Sequence, residues 1–193
     1  MIDLRATNEW QWVDPSCNLV FPWYTRGALD EISTWDLSEK RVLEYGGGAS
    51  TLWWERKARR VVTIETNSDY LKAIDHEIMG DHGVWNDRLS LIHAPVNEGD
   101  QKMIHEYVDA ADRYHEKYDI VVVDGILRYE CMQKALTLPR PLTLIVDNWQ
   151  QDYVFICPAA EELMKDYKGT FYIQPDHTNH EGHPWTTAIW HLP

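Results

Sequence analysis

The sequence is poor in positive charge. Its 193 residues include 18 lysines and arginines against 31 aspartates and glutamates, which gives a formal net charge of −13. Binding to nucleic acid is driven by basic side chains that displace counterions from the phosphate backbone, so this balance argues against a nucleic-acid partner. We therefore do not expect tRNA, rRNA or DNA as a substrate.

Cysteine and long apolar runs are scarce as well. The three cysteines, Cys17, Cys131 and Cys157, are widely spaced and form no CxxC pair, which suits reduced, buried thiols better than a disulfide framework. No segment is as long and apolar as a membrane span, and no basic start leads into an apolar run as in a signal peptide. These absences predict a soluble, cytoplasmic protein without a membrane partner.

The length of the chain fits one domain with a full core, residues 1–193. Residues 1–20 are largely polar, contain Pro15 and show no clear period, so an irregular arm is expected there. Apolar residues then recur at helical spacing, which predicts a leading helix over Thr25–Trp35. We take residues 1–38 as the arm and leading helix, and residues 40–193 as an α/β core.

The core begins with a glycine turn between two strands. A strand at Val42-Leu43 enters Glu44-Tyr45-Gly46-Gly47-Gly48, a helix is predicted over Ala49–Arg59, and a second strand over Val61–Ile64 ends at Glu65. Glycine permits the sharp turn from strand to helix and lets a ligand approach the backbone. An acid about twenty residues beyond such a turn can accept hydrogen bonds from the hydroxyls of an adenosine ribose. The unit therefore predicts a nucleotide-sized ligand at this edge.

The rest of the core alternates between helices and strands. Helices are predicted over Ser68–Met79 (broken by Asp81-His82-Gly83), Gly99–Lys117 (on the solvated surface), Tyr129–Leu138 and Pro158–Tyr167. Strands are predicted over Arg88–His93, Tyr118–Gly125, Leu142–Val146, Thr170–Gln174 and Trp185–His191, with a polar loop over Pro175–Pro184. The pattern predicts a doubly wound, mostly parallel sheet of seven strands that closes with a C-terminal antiparallel hairpin.

The glycine turn resembles motif I of the class I S-adenosylmethionine-dependent methyltransferases, in which an acid precedes the glycines. The resemblance extends over residues 20–193 and includes the closing hairpin of their Rossmann-like sheet. It implies that Glu44 and the glycines flank the methionine part of the cofactor, while Glu65 holds the ribose and the Ala94 loop passes the adenine. The residues that it places around the cofactor are Trp23, Tyr24, Glu44, Gly46, Gly47, Gly48, Ser50, Thr51, Glu65, Thr66, Asn67, Ala94, Asp124, Gly125 and Arg128.

Two later motifs narrow the resemblance. Asp124-Gly125-Ile126-Leu127-Arg128 matches a D-G-x-x-R pattern, and Asp147-Asn148 matches a D-N pattern, as in a group of small, mostly uncharacterised methyltransferase-like proteins. Asp124, Asp147 and Asn148 converge on the cofactor edge and are the first catalytic candidates.

The same three residues also resemble the ligands of catechol-type O-methyltransferases, which hold a divalent metal such as magnesium, calcium or manganese. We favour the alternative without a metal, in which Asp124 orients the cofactor's ammonium group or Arg128, and Asn148 caps the following turn.

The last loop and the tryptophans supply further candidates. His177, His180 and His183 lie three residues apart, which fits a zinc site, a solvated loop, or a general base at His183. Of the 10 tryptophans, Trp53 and Trp190 are expected in the core. The tryptophans that fall in predicted loops, where aromatic faces commonly wall a substrate pocket, are Trp10, Trp12, Trp23, Trp149 and Trp185.

With the resemblance, the sequence predicts S-adenosylmethionine-dependent methyl transfer to a small-molecule or sugar-like acceptor, at an oxygen atom, with S-adenosylhomocysteine as product. Two alternatives stay open. One is a non-catalytic module of the same fold that binds the cofactor or a nucleoside. The other is an aminopropyltransferase, although those enzymes usually carry an acid directly after the triple glycine, where this chain has Ala49-Ser50. The sequence also leaves open whether the chain forms a homodimer.

Overall fold

A computed structural model describes residues 2–5, 12–82, 87–97, 99–114, 117–149, 157–178 and 182–193. The strands are β1 (Val13–Asp14), β2 (Leu19–Val20), β3 (Arg41–Tyr45), β4 (Arg60–Glu65), β5 (Leu89–His93), β6 (Ile120–Val123), β7 (Leu142–Val146), β8 (Gly169–Thr178) and β9 (Pro184–Leu192). The helices are α1 (Arg26–Ile32), α2 (Ala49–Lys57), α3 (Ser68–His82), α4 (Gln101–Val108), α5 (Arg128–Thr137) and α6 (Cys157–Met164), and a 3-10 helix, Asp109–Tyr114, follows α4.

One seven-stranded sheet carries the fold, in the order β5-β4-β3-β6-β7-β9-β8. The first five strands in this order, β5, β4, β3, β6 and β7, are parallel to one another. β9 runs antiparallel to both β7 and β8. The predicted doubly wound sheet with a C-terminal antiparallel hairpin is therefore confirmed. The strand order reverses between β3 and β6, and the carboxyl ends of strands at such a reversal form the crevice in which open α/β sheets bind ligands.

Buried apolar layers cover both faces of this sheet. Successive side chains of a strand point to opposite faces, so Leu43 and Val121 belong to the layer under α4, α5 and α6. Val42 and Val122 belong to the layer under α1, α2 and α3. Because both faces are covered, the central strands are continuous apolar runs, as is usual for buried parallel strands.

The N-terminal arm differs from the irregular segment that the sequence predicted. β1 and β2 pair in antiparallel fashion, and Asp14 ties this small hairpin to α2. The Asp14 carboxylate accepts a hydrogen bond from the indole of Trp53 at 2.9 Å and pairs with the Lys57 ammonium at 2.8 Å. Burial opposes ionisation of Asp14, but hydrogen bonds from Lys57 and Ser16 outweigh it and lower its pKa. The hairpin therefore carries a buried, charge-paired anchor that periodicity could not reveal.

Four other predictions need correction. The second crossover helix was predicted to end at Met79 and to be broken by Asp81 and His82, but α3 continues through both of these residues. The polar loop predicted from Pro175 is wrong at its start, because β8 continues to Thr178 across a register shift. β9 includes Trp185, which confirms the strand predicted over Trp185–His191 and makes the assignment of Trp185 to a loop wrong.

The fourth correction concerns the segment predicted as one solvated helix over residues 99–117. It is α4 followed by the 3-10 helix. Tyr107, which belongs to the apolar stripe of this segment, is 1% exposed. Trp53 and Trp190 are each 1% exposed, which confirms their place in the core. Among the described helices, none combines the length and apolar character that crossing a membrane requires.

Candidate functional site

Polar side chains gather where β3, β4, β6 and β7 end. The register of the parallel strands places Tyr45 beside Ile64 and Val123, so the residues that follow these strands reach one edge together. Glu65, Asp124 and Asp147 are the acids at this edge. The sequence had predicted these strand ends, and the sheet brings them side by side.

The glycine turn after β3 is shaped by close backbone contacts. Gly46 has φ +94°, and a Cβ on it would lie 2.5 Å from the backbone nitrogen of Gly125. A Cβ on Gly47 would lie 2.7 Å from the Thr63 methyl group, whereas a Cβ on Gly48 would meet nothing within 4 Å. The first two glycines therefore close the turn onto the sheet, and the third leaves open space above it.

Glu65 binds the turn from the neighbouring strand. One carboxylate oxygen accepts a hydrogen bond from the Gly47 amide at 2.7 Å, and the other accepts from the Asn67 amide at 2.7 Å and the Thr66 hydroxyl at 3.2 Å. The Glu65 carbonyl in turn accepts from the Ala94 amide at 3.0 Å, at the end of β5. A carboxylate has about four acceptor positions, so Glu65, which is 8% exposed, keeps capacity for a ligand hydroxyl.

Glu44 lies deeper than the sequence suggested. Its carboxylate is fully buried on β3 and accepts hydrogen bonds from the hydroxyls of Ser50 at 2.6 Å, Thr51 at 2.5 Å and Thr63 at 2.8 Å. Burial raises the pKa of Glu44 to about 7, although the three hydroxyls lower it. Thr63, which was not predicted as a site residue, lies opposite Glu44 in the β3–β4 register. Glu44 thus fastens the start of α2 to the sheet beneath the glycine turn.

Asp124 and Asp147 form an acid pair at the ends of β6 and β7. Burial is the main cause that raises the pKa of each carboxyl, and for Asp147 the neighbouring Asp124 raises it further. Asp147 is 3% exposed, while the side chain of Asp124 keeps 22% of its surface exposed. Asp147 is therefore the more deeply buried acid of the pair.

Arg128 links Asp124 to Asn148. Its guanidinium donates to the Asp124 carboxylate at 3.3 Å and to the Asn148 side-chain oxygen at 3.0 Å. Asn148 has φ +53°, a left-handed backbone that turns its side chain back toward Arg128. The positive charge between these two oxygens is thus supplied by arginine. Among the described residues, no group of three or more histidines, cysteines, aspartates or glutamates is arranged to hold a metal ion.

Thr187 is a site residue that the sequence analysis missed. Its hydroxyl donates to the Asp147 carboxylate at 2.6 Å and accepts from the Thr25 amide at 2.9 Å, just before α1. Because an amide nitrogen can only donate here, the hydroxyl proton must point to Asp147. The pairing of Val146 with Ala188 sets this contact, and sequence alone gives no register between β7 and β9.

Tyr24, which lies shortly before α1, is buried, whereas His183, in the last loop, is exposed. Tyr24 is 2% exposed and its hydroxyl accepts from the Trp54 indole at 3.3 Å. Burial and the nearby Asp124 raise the pKa of Tyr24 well above its ordinary value. His183 is exposed in the segment before β9, His177 lies on β8, and His180 and Trp10 fall outside the described residues. The buried acids and Tyr24 therefore form the interior of the site.

Comparison with known proteins supports the fold. No protein-family model and no curated protein matches the chain. Solved structures do match. A candidate caffeoyl-CoA O-methyltransferase from Staphylococcus aureus has TM-score 0.63 and 17% identity over 90% of this chain and 86% of that one. A methyltransferase-like protein from Silicibacter pomeroyi has TM-score 0.60 and 16% identity over 89% of each chain.

A third matching structure is named for a decarboxylase. A precorrin 8w decarboxylase from Methanobacterium thermoautotrophicum has TM-score 0.56 and 17% identity over 94% of this chain and 96% of that one. At these identities the matches establish a shared fold, which agrees with the resemblance seen in the motifs. The reaction has to be argued from the site itself.

Proposed function

We propose that this chain, which shares the fold of methyltransferase structures, binds S-adenosylmethionine along the carboxyl edge of its sheet and methylates an oxygen atom of a small molecule. The observation that carries the proposal is the glycine turn fastened to Glu65. The Gly47 amide donates to the Glu65 carboxylate at 2.7 Å, and the space beside Gly48 is open. A ribose acceptor and an open backbone surface are thereby held next to each other.

The residues at this edge fit the proposed cofactor. Glu65 keeps acceptor capacity for a ribose hydroxyl, and the adenine would lie by the adjacent strand end at Ala94, whose amide donates to the Glu65 carbonyl. Gly48 leaves room for the methionine chain. The ammonium group of that chain would find the acid-rich end of β6, at Asp124. The turn residues 46–51 include no basic side chain, which suits a ligand without phosphates.

Oxygen is the proposed acceptor atom because of the acid pair. When bound, S-adenosylmethionine supplies an electrophilic methyl group and keeps the electron pair of the broken bond on sulfur as a neutral thioether. A hydroxyl acceptor must lose a proton, and a carboxylate with a raised pKa is a suitable base near neutral pH. Asp147 has this property, and Thr187 fixes the orientation of its carboxylate. Two of the matching structures carry O-methyltransferase names, which supports this choice.

Calorimetric titration with S-adenosylmethionine and S-adenosylhomocysteine tests the proposal. We expect both to bind, and Glu65→Ala to weaken binding by about 1 to 3 kcal/mol, since hydrogen bonds to a charged acceptor are lost. Glu106→Ala is the matched control, because Glu106 is an exposed glutamate paired with Lys102 on α4. Absence of binding at millimolar concentration would contradict the proposal. Binding without turnover on a broad acceptor panel would instead indicate a non-catalytic binding module.

A further inference from the structure

The strand β8 lies at one edge of the seven-stranded sheet. Within the ranges that the structure describes, β8 pairs with β9 and with no other strand. An edge strand presents a row of unpaired amide and carbonyl groups, which natural proteins usually protect with charged side chains, prolines or bulges. Pro175 and a register shift protect the second part of β8 in this way. The first part, Gly169–Gln174, contains neither a charged residue nor a proline.

The pairing of β9 shows which backbone groups of β8 point outward. The Thr186 carbonyl of β9 faces β7, because it accepts a hydrogen bond from the Trp149 amide at 2.9 Å. Backbone groups of successive strand residues point to alternate sides, so Thr187 faces β8, where it lies opposite Tyr172. Tyr172 therefore faces β9, and the residues on either side of it direct their amides and carbonyls away from the sheet.

These two residues, Phe171 and Ile173, are also apolar and exposed. Their exposed fractions are 46% and 61%, and alternation places both side chains on the same face of β8. Phe171 packs against Trp149 and Trp190, with ring centroids 5.6 and 5.5 Å apart. The exposed pair thus continues the apolar layer that contains Trp190 as far as the edge of the sheet. Outward-facing backbone groups and apolar surface occur at the same place.

We propose that the outer edge of β8 pairs with β8 of a second copy of this chain, antiparallel and about a two-fold axis at Tyr172. A two-fold interface uses the same patch on both copies, so a strand edge can pair with itself. About this axis Phe171 lies opposite Ile173 of the second copy, and such a pair of facing residues exchanges two backbone hydrogen bonds. The two sheets become one continuous sheet. This interface does not depend on the proposed methyl transfer.

Charge complementarity favours this occupant and this register. Lys168 directly precedes β8, Asp176 lies in its second part, and both are exposed. Each is four residues from Tyr172, in opposite directions. The two-fold axis therefore brings Lys168 of each copy toward Asp176 of the other, at both ends of the interface. Opposite charges across a strand pair are favourable. An axis one residue away on either side would place each lysine opposite an uncharged residue.

Sedimentation velocity at protein concentrations of about 1–200 µM tests the proposal. The net charge of −13 on each copy opposes association, so the runs use about 150 mM salt, in which distant charges are screened. We expect the mass to rise from one chain to two and no further, because a two-fold interface is closed. Ile173→Lys should raise the concentration at which half of the chains are paired by about tenfold or more. Met79→Lys is the matched control, because Met79 is 40% exposed on α3.

Two further changes separate backbone pairing from side-chain contact. Ile173→Pro removes an amide that points away from β9, so it should abolish the dimer while the β8–β9 pairing remains. Lys168→Glu should weaken the dimer, and the second change Asp176→Lys should restore it, because the two charges are then exchanged. Circular dichroism melts show whether each variant folds.

A chain that stays monomeric at the highest concentration overturns the proposal. A mass that continues to rise beyond two chains overturns it as well, since the contact is then open-ended. The same holds if folded Ile173→Lys and Ile173→Pro variants dimerise like the wild type. If the exchange of Lys168 and Asp176 does not restore pairing, the register at Tyr172 is wrong. Should both Ile173 variants fail to fold, the exposed charge variants decide the matter.

Discussion

Alanine at Gly46 should destabilise the protein far more than alanine at Gly48. Gly46 has φ +94°, a region that costs a residue with a Cβ about 1–2 kcal/mol. Its Cβ would also lie 2.5 Å from the nitrogen and 2.6 Å from the Cα of Gly125. These are backbone atoms, so relief requires the turn after β6 to move, and overpacking of this kind costs about 1–3 kcal/mol. The expected loss of unfolding free energy is therefore about 2–5 kcal/mol.

Gly48 provides the matched comparison. Its φ of −179° is ordinary extended backbone, and a Cβ there meets nothing within 4 Å. Gly48→Ala should thus stay within about 0.5 kcal/mol of the wild-type stability. The added methyl group would, however, occupy the surface proposed for the methionine chain of the cofactor. We expect affinity for S-adenosylmethionine to fall by about tenfold.

Urea unfolding followed by circular dichroism, with linear extrapolation to water, measures the unfolding free energy of both variants. Calorimetric titration measures their affinity for S-adenosylmethionine. If Gly46→Ala were within 1 kcal/mol of the wild type, the account of the turn as a rigid contact between two strand ends would be wrong. If Gly48→Ala bound the cofactor as tightly as the wild type, the open surface would not be the methionine site.

Three further predictions concern buried polar groups. Asp14→Ala should lower the unfolding free energy by about 3 kcal/mol, because it breaks a buried charge pair and leaves the Trp53 indole without its acceptor; urea unfolding checks this. Since burial raises the folded-state pKa of Glu44 from 4.5 to about 7, the folded chain binds this proton more tightly, so stability should fall as pH rises from about 4.5 through 7. The fall from this group is about 3 kcal/mol, and Glu44→Gln should reduce it in melts recorded across that range. Thr187→Val should cost about 1–3 kcal/mol through the buried Thr25 amide and the carboxylate that it leaves unbonded, whereas Thr187→Ser, which keeps the hydroxyl, should cost less.

Strands with continuous apolar runs were predicted best. β7 was predicted with its observed bounds, because a short, mostly apolar run between Pro141 and Asp147 has few alternatives. The β1–β2 hairpin was missed, since its strands are two residues long and depend on Asp14 contacting α2. The extension of β8 to Thr178 was missed for a similar reason, because pairing with β9 overrides a locally polar sequence.

The residues of the candidate site also divide into those that the sequence predicts and those that only the structure reveals. Glu44, Glu65, Asp124 and Asp147 could be found because each ends or interrupts a strand in the sequence. Thr187 could not, because its role depends on the register of an antiparallel pair and on where α1 begins. Alternation along β9 predicts which residues share a face, but not which acid they meet.

The alternation along β3 also limits how this chain can change in length. Glu44 pairs in register with Thr63 on one side and Val122 on the other. Gain or loss of one residue within β3 would send every following side chain to the opposite face. The Glu44 carboxyl would then enter the apolar layer under α4, α5 and α6, away from its three hydroxyls. Descendants of this sequence are therefore expected to tolerate insertions in the connections after α3 and before β9. The number of residues from β3 to the glycine turn should stay fixed.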